Sequence, residues 1–159
     1  MKNTTPHWIA IVLLLGILIA GVLKVVVLGN TEKAADGRTA VLLDSAERQA
    51  VLGEMRLLLE TTQSVVEGLA HNDPAAVEAA SRRVGSDAIA TMDVRLRAKL
   101  PLEFKKLGFA THYAFDDIAD MAKQGKPAKT IQLKLSETMN NCIACHASYQ
   151  LPEIRPKGI

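Results

Sequence analysis

The sequence predicts an all-α protein: a single N-terminal transmembrane helix followed by an antiparallel four-helix bundle. Three observations predict it. Apolar residues make up 48% of the 159 and aromatic residues only 4%, and a core of Leu, Ala and Val suits helices, whereas sheets lean on aromatic and β-branched side chains. One apolar run of membrane-crossing length stands near the N-terminus. Behind it, apolar residues recur at helical spacing in segments separated by breaks that contain Pro and Gly. Charged residues, at 23%, exclude a wholly membrane-embedded chain, and a net charge of +2 gives no reason to expect nucleic acid.

Residues 8–28 read WIAIVLLLGILIAGVLKVVVL, with Lys24 as the one charge. At ~1.5 Å of rise per residue this is roughly 31 Å of helix, enough to cross a bilayer core. Lys24 lies near one end, where its stem can follow lipid while the ammonium reaches the interface. The run exceeds the h-region of a cleaved signal peptide, and no small-x-small site follows it closely. Residues 1–29 are therefore read as an uncleaved anchor. Lys2 precedes the span, and Lys33 and Arg38 follow it, offset by Glu32 and Asp36, so the positive-inside rule barely decides the orientation.

Residues 30–38 read as a short polar linker, and residues 39–159 as the helical domain, with no convincing alternating strand. A first helix over 39–70 carries Leu52, Met55, Leu59, Thr62, Val66 and Leu69, spaced as the seam of a packed helix. It stops at His71-Asn72-Asp73-Pro74, where Asp73 can cap and Pro74 can open the next helix. The second helix runs over 74–100 and ends at Pro101. The third, 102–123, places Phe104, Gly108, Thr111, Phe115, Ile118 and Ala122 on one face. The fourth starts near Ala128 and carries Ile131, Leu135, Met139, Cys142, His146 and Tyr149 along an inward stripe. Short loops between long helices make them antiparallel neighbours. The tail from Gln150 on is extended or irregular, because a helix interior would not hold both Pro152 and Pro156.

The chemistry sits at Cys142-Ile143-Ala144-Cys145-His146, which contains the only two cysteines of the chain. A C-x-x-C-H run is the attachment signature of c-type haem. Two thiols about one helical turn apart can each form a thioether to a porphyrin vinyl group, and the adjacent imidazole is then directed at the iron as the proximal ligand. A redox C-x-x-C belongs between a strand and a helix, and no strand is visible nearby. A zinc site needs further ligands, and no other cysteine exists. The residues thus predict one covalent haem c on Cys142, Cys145 and His146. Covalent haem attachment belongs outside the bacterial cytoplasmic membrane, which places Met1 in the cytoplasm and the haem domain in the periplasm, behind a single pass of the inner membrane.

A four-helix bundle with its single C-x-x-C-H near the end of the last helix resembles the class II c-type cytochromes, the cytochrome c-prime group. The resemblance covers residues 39–149. It includes Arg48-Gln49, similar to an Arg-Gln pair in many members, and CIACHASY at the end of the fourth helix. Three features depart from the family: Gln150 stands where a basic residue is often found, the chain has an anchor, and the residue four past Arg48 is Leu52. That position faces the open side of the haem in the family, so the resemblance implies Arg48 and Leu52 as haem contacts, and leucine cannot ligate iron.

The sixth iron position is open to several residues. Met139 and Tyr149 share the side of the fourth helix that carries His146, so neither reaches the opposite haem face. His112 on the third helix is the first candidate metal ligand, with Asp116 one turn on, placed to hold its second ring nitrogen. Met55 is the second, Met92 is weaker, and His71 lies in a loop. A vacant sixth position is the remaining reading.

Between Asn30 and Asp93 there are 6 basic and 11 acidic residues, and between Val94 and Ile159 there are 11 and 6. The two halves carry −5 and +5, which fits either solvated helix faces or complementary patches that steer a redox partner. The expected function is an electron carrier among periplasmic or membrane redox proteins, free or as a subunit of a membrane complex. It is not an enzyme, since no acid–base constellation stands beside the motif. The alternative is a five-coordinate haem protein that binds nitric oxide or carbon monoxide behind Leu52.

Overall fold

The computed structural model of the chain describes residues 5–153, so the tail beyond Glu153, read as irregular, lies outside the described residues. The chain is mostly helical, with one apolar helix at its N-terminal end and a small sheet. Helix α1 (Thr5–Val22) continues as a π-helical segment, Leu23–Leu28. Together His7–Leu28 form a 22-residue helix with none of its residues buried, long and apolar enough to cross a membrane.

Gly29 ends this helix at φ 64°, and its N–H donates to the Lys24 carbonyl at 3.0 Å. Only glycine fits, because a Cβ here would lie 2.5 Å from the Lys99 carbonyl oxygen and 2.6 Å from the Pro101 nitrogen. The next residue continues the attachment: the Asn30 N–H donates to the Lys99 carbonyl at 2.7 Å. Lys105 Nζ donates to the Val26 carbonyl at 3.1 Å, one of the carbonyls a helix end leaves without an intrahelical partner.

The segment expected as a linker is folded. Strand β1 (Thr31–Lys33) pairs antiparallel with β2 (Thr39–Val41), and β2 pairs in parallel with β3 (Tyr149–Gln150), in the order β1-β2-β3. The turn between β1 and β2 closes through the Ala34 N–H on the Arg38 carbonyl at 2.9 Å, with Gly37 at φ 87° and a 2.7 Å Asp36–Arg38 ion pair. Strands of two or three residues are too short to show an alternating pattern, which is why the sequence reads as strand-free. The first helix accordingly begins at Ser45 and not at Thr39. Asp44 Oδ1 accepts the Glu47 N–H at 2.9 Å and Glu47 Oε2 accepts the Asp44 N–H at 3.0 Å, a capping box that fixes the start of α2 (Ser45–Ala70).

The expected second helix is broken into α3 (Pro74–Arg82), α4 (Asp87–Ala90) and α5 (Val94–Lys99). The break falls at Gly85, where a Cβ would lie 2.9 Å from the Asp116 carboxyl carbon. Asp116 accepts the Ser86 N–H at 2.8 Å and Asp93 accepts the Arg95 N–H at 2.6 Å to start α5, so side chains satisfy backbone groups that a continuous helix would have paired. Helices α6 (Leu102–Lys123) and α7 (Ala128–Ser148) stand where the spacing placed them.

Helix α3 packs on both α2 and α6, and α6 on α7. Two clusters form the interior. One gathers Val65, Val77, Val84, Phe115, Ile118, Ile131 and Leu135. The other lies beside the sheet and gathers Val41, Leu43, Leu96, Leu100 and Phe104, with Met55, Cys145 and Tyr149 at its edge.

The α2 seam is displaced from the heptad reading. Thr61, Val65 and Gly68 are buried, whereas Leu59 and Val66 are 70% and 53% exposed. Val77 approaches α2 at Gly68, where a Cβ would lie 2.8 Å from its Cγ2, so the face that packs on α3 is the one that carries Gly68, one position before the expected Leu69. On α7 the stripe holds at Ile131 and Leu135 and then moves to Thr138. Met139, Cys142 and His146 are exposed, not inward as expected.

Candidate functional site

The last two turns of α7 carry Cys142, Cys145 and His146, and the chain then enters β3 at Tyr149. Parallel pairing of Thr39 with Tyr149 sets this turn against the hairpin that follows the apolar helix. The motif therefore lies at the end of the helical body nearest that helix. Arg38 reinforces the junction, with its Nη1 donating to the carbonyls of His146 and Tyr149 at 3.3 Å each. These are orphan carbonyls of a helix C-terminus, and a guanidinium is favoured there by the helix dipole as well as by hydrogen bonding. Arg48 reaches the same place, its Nε donating to the Leu151 carbonyl at 2.9 Å.

A cavity of about 190 Å³ opens beside this turn. Its wall is mainly apolar: Leu52 and Met55 from α2, Phe104 from α6, and Tyr149 and Leu151 beyond α7. Cys145, His146, Arg38 and Gln150 complete it. Phe104 and Tyr149 form its floor as an edge-to-face pair with centroids 5.3 Å apart.

The two thiols differ. Cys142 is exposed and Cys145 half-buried against the lower cluster. Burial raises the Cys142 thiol, and burial together with the neighbouring Cys142 pushes Cys145 up to about 11. The Tyr149 hydroxyl is also raised, first by burial and then by the charges of Cys145 and Glu103.

The expected site residues divide into two groups. Cys145, His146, Leu52 and Met55 meet at the cavity, Arg48 braces its edge from behind, and Cys142 lies one turn away on the exposed side. His112 is elsewhere. It is buried at 4% exposure, and its Nδ1 lies 2.8 Å from the Val84 carbonyl oxygen. Eight residues beyond Phe104, it stands roughly 12 Å along α6 by helical rise, and it does not line the cavity.

The expected His112–Asp116 pairing is not formed. Asp116 is drawn instead to the Ser86 N–H at 2.8 Å and to Arg82 Nη1 at 3.1 Å, because the break at Gly85 presents an unpaired backbone donor. Met92 belongs to the lower cluster, off the cavity wall, and His71 is exposed after α2 with its Nδ1 3.0 Å from the Glu67 carbonyl oxygen.

Arg38 and Phe104 are site residues that sequence reasoning did not assign. Phe104 was legible as core but not as cavity floor. Arg38 depends on the β2–β3 pairing across 110 positions of sequence, and local spacing carries no trace of that. No family model matches the chain, and no curated protein or solved structure matches it.

Proposed function

We propose that the chain is a monohaem c-type cytochrome anchored in a bacterial inner membrane. Its helical domain lies in the periplasm and carries single electrons between periplasmic or membrane redox proteins, as a free carrier or as a subunit of a larger membrane complex. In this reading α2, the broken run α3–α5, α6 and α7 stand as the four members of an antiparallel bundle of the class II c-type cytochrome kind. The observation that carries the proposal is that Cys145 and His146 of the C-x-x-C-H turn share one cavity with Leu52 and Met55, the stretch of α2 that the resemblance assigns to the opposite haem face.

The residues present fit a covalent haem c. Cys142 and Cys145 would hold it through thioethers and His146 would ligate its iron; when bound, the haem supplies a one-electron couple whose potential is set by ligands and burial. The chain's own residues supply the setting. Arg38 fixes the carbonyls around the imidazole-bearing turn. Leu52, Met55, Phe104 and Tyr149 exclude water from one side. At about 190 Å³ the cavity is smaller than the ~300–1,000 Å³ of a site that encloses a small molecule. A macrocycle held there keeps an edge toward solvent beside the exposed Cys142 and Ile143, and an exposed edge suits exchange with a docked partner.

Met55 is the sixth ligand in this proposal, since it lines the cavity and His112 does not. Leu52 on the same wall supports a second reading, a vacant sixth position that takes nitric oxide or carbon monoxide. The test is acid–acetone extraction of the protein purified from cells competent in cytochrome c maturation. Soret absorbance that stays with the polypeptide is expected, and Cys142→Ala/Cys145→Ala should release it. Extraction of all colour from the parent protein overturns the proposal.

A further inference from the structure

We infer that the corner formed by α5 and the first turn of α6 rests on the anionic phosphate headgroups of the membrane that holds the N-terminal helix. Two independent observations place it there. The π-helical end of the apolar helix contacts both α5 and α6, with Gly29 seated against Lys99 and Pro101. The Lys105 ammonium bonds the Val26 carbonyl, two residues before the end of the apolar span at Leu28, so it stands at headgroup level once that span is in a bilayer. Lys24, two residues further in, reaches the same level from the lipid side.

The charge of the corner fits this occupant. Val94–Lys99 reads VRLRAK and the first turns of α6 add Lys105 and Lys106. Lys99 is engaged by Glu47 at 2.5 Å and Lys106 by Glu103 at 2.7 Å. Among the described residues Arg95 and Arg97 make no ion pair, and the carboxylate of Asp93, next in the chain before Val94, accepts the Arg95 and Leu96 N–H groups at the start of α5. Val94, at 69% exposure, projects an apolar side chain beside them. An unpaired guanidinium pair next to an exposed apolar residue suits the boundary between phosphate and acyl chain, and Arg recognises phosphate in bidentate fashion. Each basic residue near an anionic surface contributes roughly a fivefold preference, weakened by salt.

The inference rests on the reading of the N-terminal helix as a membrane span and is independent of the haem. The full chain is reconstituted into nanodiscs of phosphatidylcholine mixed with phosphatidylglycerol, released into a native mass spectrometer, and the lipids retained on it are counted. Enrichment of phosphatidylglycerol over its share of the disc is expected. Arg95→Gln/Arg97→Gln should lower the odds of retaining phosphatidylglycerol over phosphatidylcholine by roughly 25-fold at low salt, and Arg95→Lys/Arg97→Lys should keep most of that preference. Incorporation with lipids retained in proportion to the disc, in parent and variant alike, overturns the inference and leaves the span intact. A chain that enters no disc overturns both. Loss of bound lipid when inorganic phosphate is added at equal ionic strength also overturns it, in favour of a site for free anions.

Discussion

Phe104 and Tyr149 meet edge to face, with ring centroids 5.3 Å apart and planes at 80°, and so join the first turn of α6 to the residue that follows α7. Both rings floor the cavity at the motif. Phe104 is 8% exposed, so Phe104→Ala should cost about 3–5 kcal/mol of stability, and Tyr149→Ala less because that ring is half-buried. Urea unfolding of both single variants and the double variant should give a coupling of about 0.5–1.5 kcal/mol. Strict additivity would show that the two rings act separately.

Asp116 ties α6 to the break between α3 and α4. Burial raises its carboxyl, but the Ser86 hydroxyl and N–H and the Arg82 guanidinium outweigh this and hold it below its ordinary value of 3.8. A carboxylate depressed in the folded state contributes stability that is present above its unfolded pKa and lost as pH falls through the folded one. Asp116→Ala should therefore cost about 1.5–3 kcal/mol at neutral pH, the range for a hydrogen bond to a charged group. The gap to the parent should narrow once the pH drops below about 4. A gap that stays constant from neutral to acid pH would mean that the charge of Asp116 is not what stabilises the break.

Helix α6 was legible in the sequence because its signals are local. Pro101 and Gly125 bracket α6, and Phe104, Thr111, Phe115, Ile118 and Ala122 keep one face over its six turns. The cysteine motif was legible for the same reason, since five consecutive residues define it. What stayed hidden depends on distant partners. The second helix breaks where Asp116, thirty positions on, captures the Ser86 N–H; Gly85 marks the place, but nothing local names that distant partner. The strands are too short for a period, and β3 owes its existence to pairing with β2. His112 and Asp116 stand one turn apart on α6, but each is held by a partner on the α3–α4 connection, the Val84 carbonyl and the Ser86 N–H.

Gly29 is the residue on which the seating of the apolar helix depends. It holds φ 64° and leaves no room for a Cβ against Lys99 and Pro101. Gly29→Ala meets both the strain of a positive-φ, extended-ψ backbone that is essentially glycine-only, about 1–3 kcal/mol, and a backbone clash that only separation relieves. The expected outcome is loss of the Asn30–Lys99 and Lys105–Val26 bonds while the helical body stays folded. Hydrogen exchange of the full chain in detergent should show faster exchange of the Asn30 and Leu42 amides, with Phe115 and Ile118 unchanged. Equal exchange at Asn30 in parent and variant would mean that the junction tolerates a side chain and the seating is held elsewhere.

In the proposed haem protein the sixth iron position would separate the electron carrier from the gas-binding reading, and Met55 is the residue that tests it. Met55 lines the cavity beside His146 and Leu52, whereas His112 is committed to the Val84 carbonyl on the far part of α6. With Met55 as ligand the reduced protein should be low-spin and nearly inert to carbon monoxide, since a thioether opposite histidine fills the coordination sphere and raises the potential. Met55→Leu keeps volume and apolar contact at a cost of less than about 1.5 kcal/mol, so a change in its spectrum reports ligation and not unfolding. It should become high-spin and bind carbon monoxide readily. His112→Ala should keep the parent spectrum while losing stability, because it empties a buried site and leaves the Val84 carbonyl without its ring partner. A His112→Ala protein that turns high-spin would instead place the imidazole on the iron and require α6 to shift. A parent protein that is already high-spin, with Met55→Leu unchanged, would leave Leu52 over a vacant position and make gas binding the function.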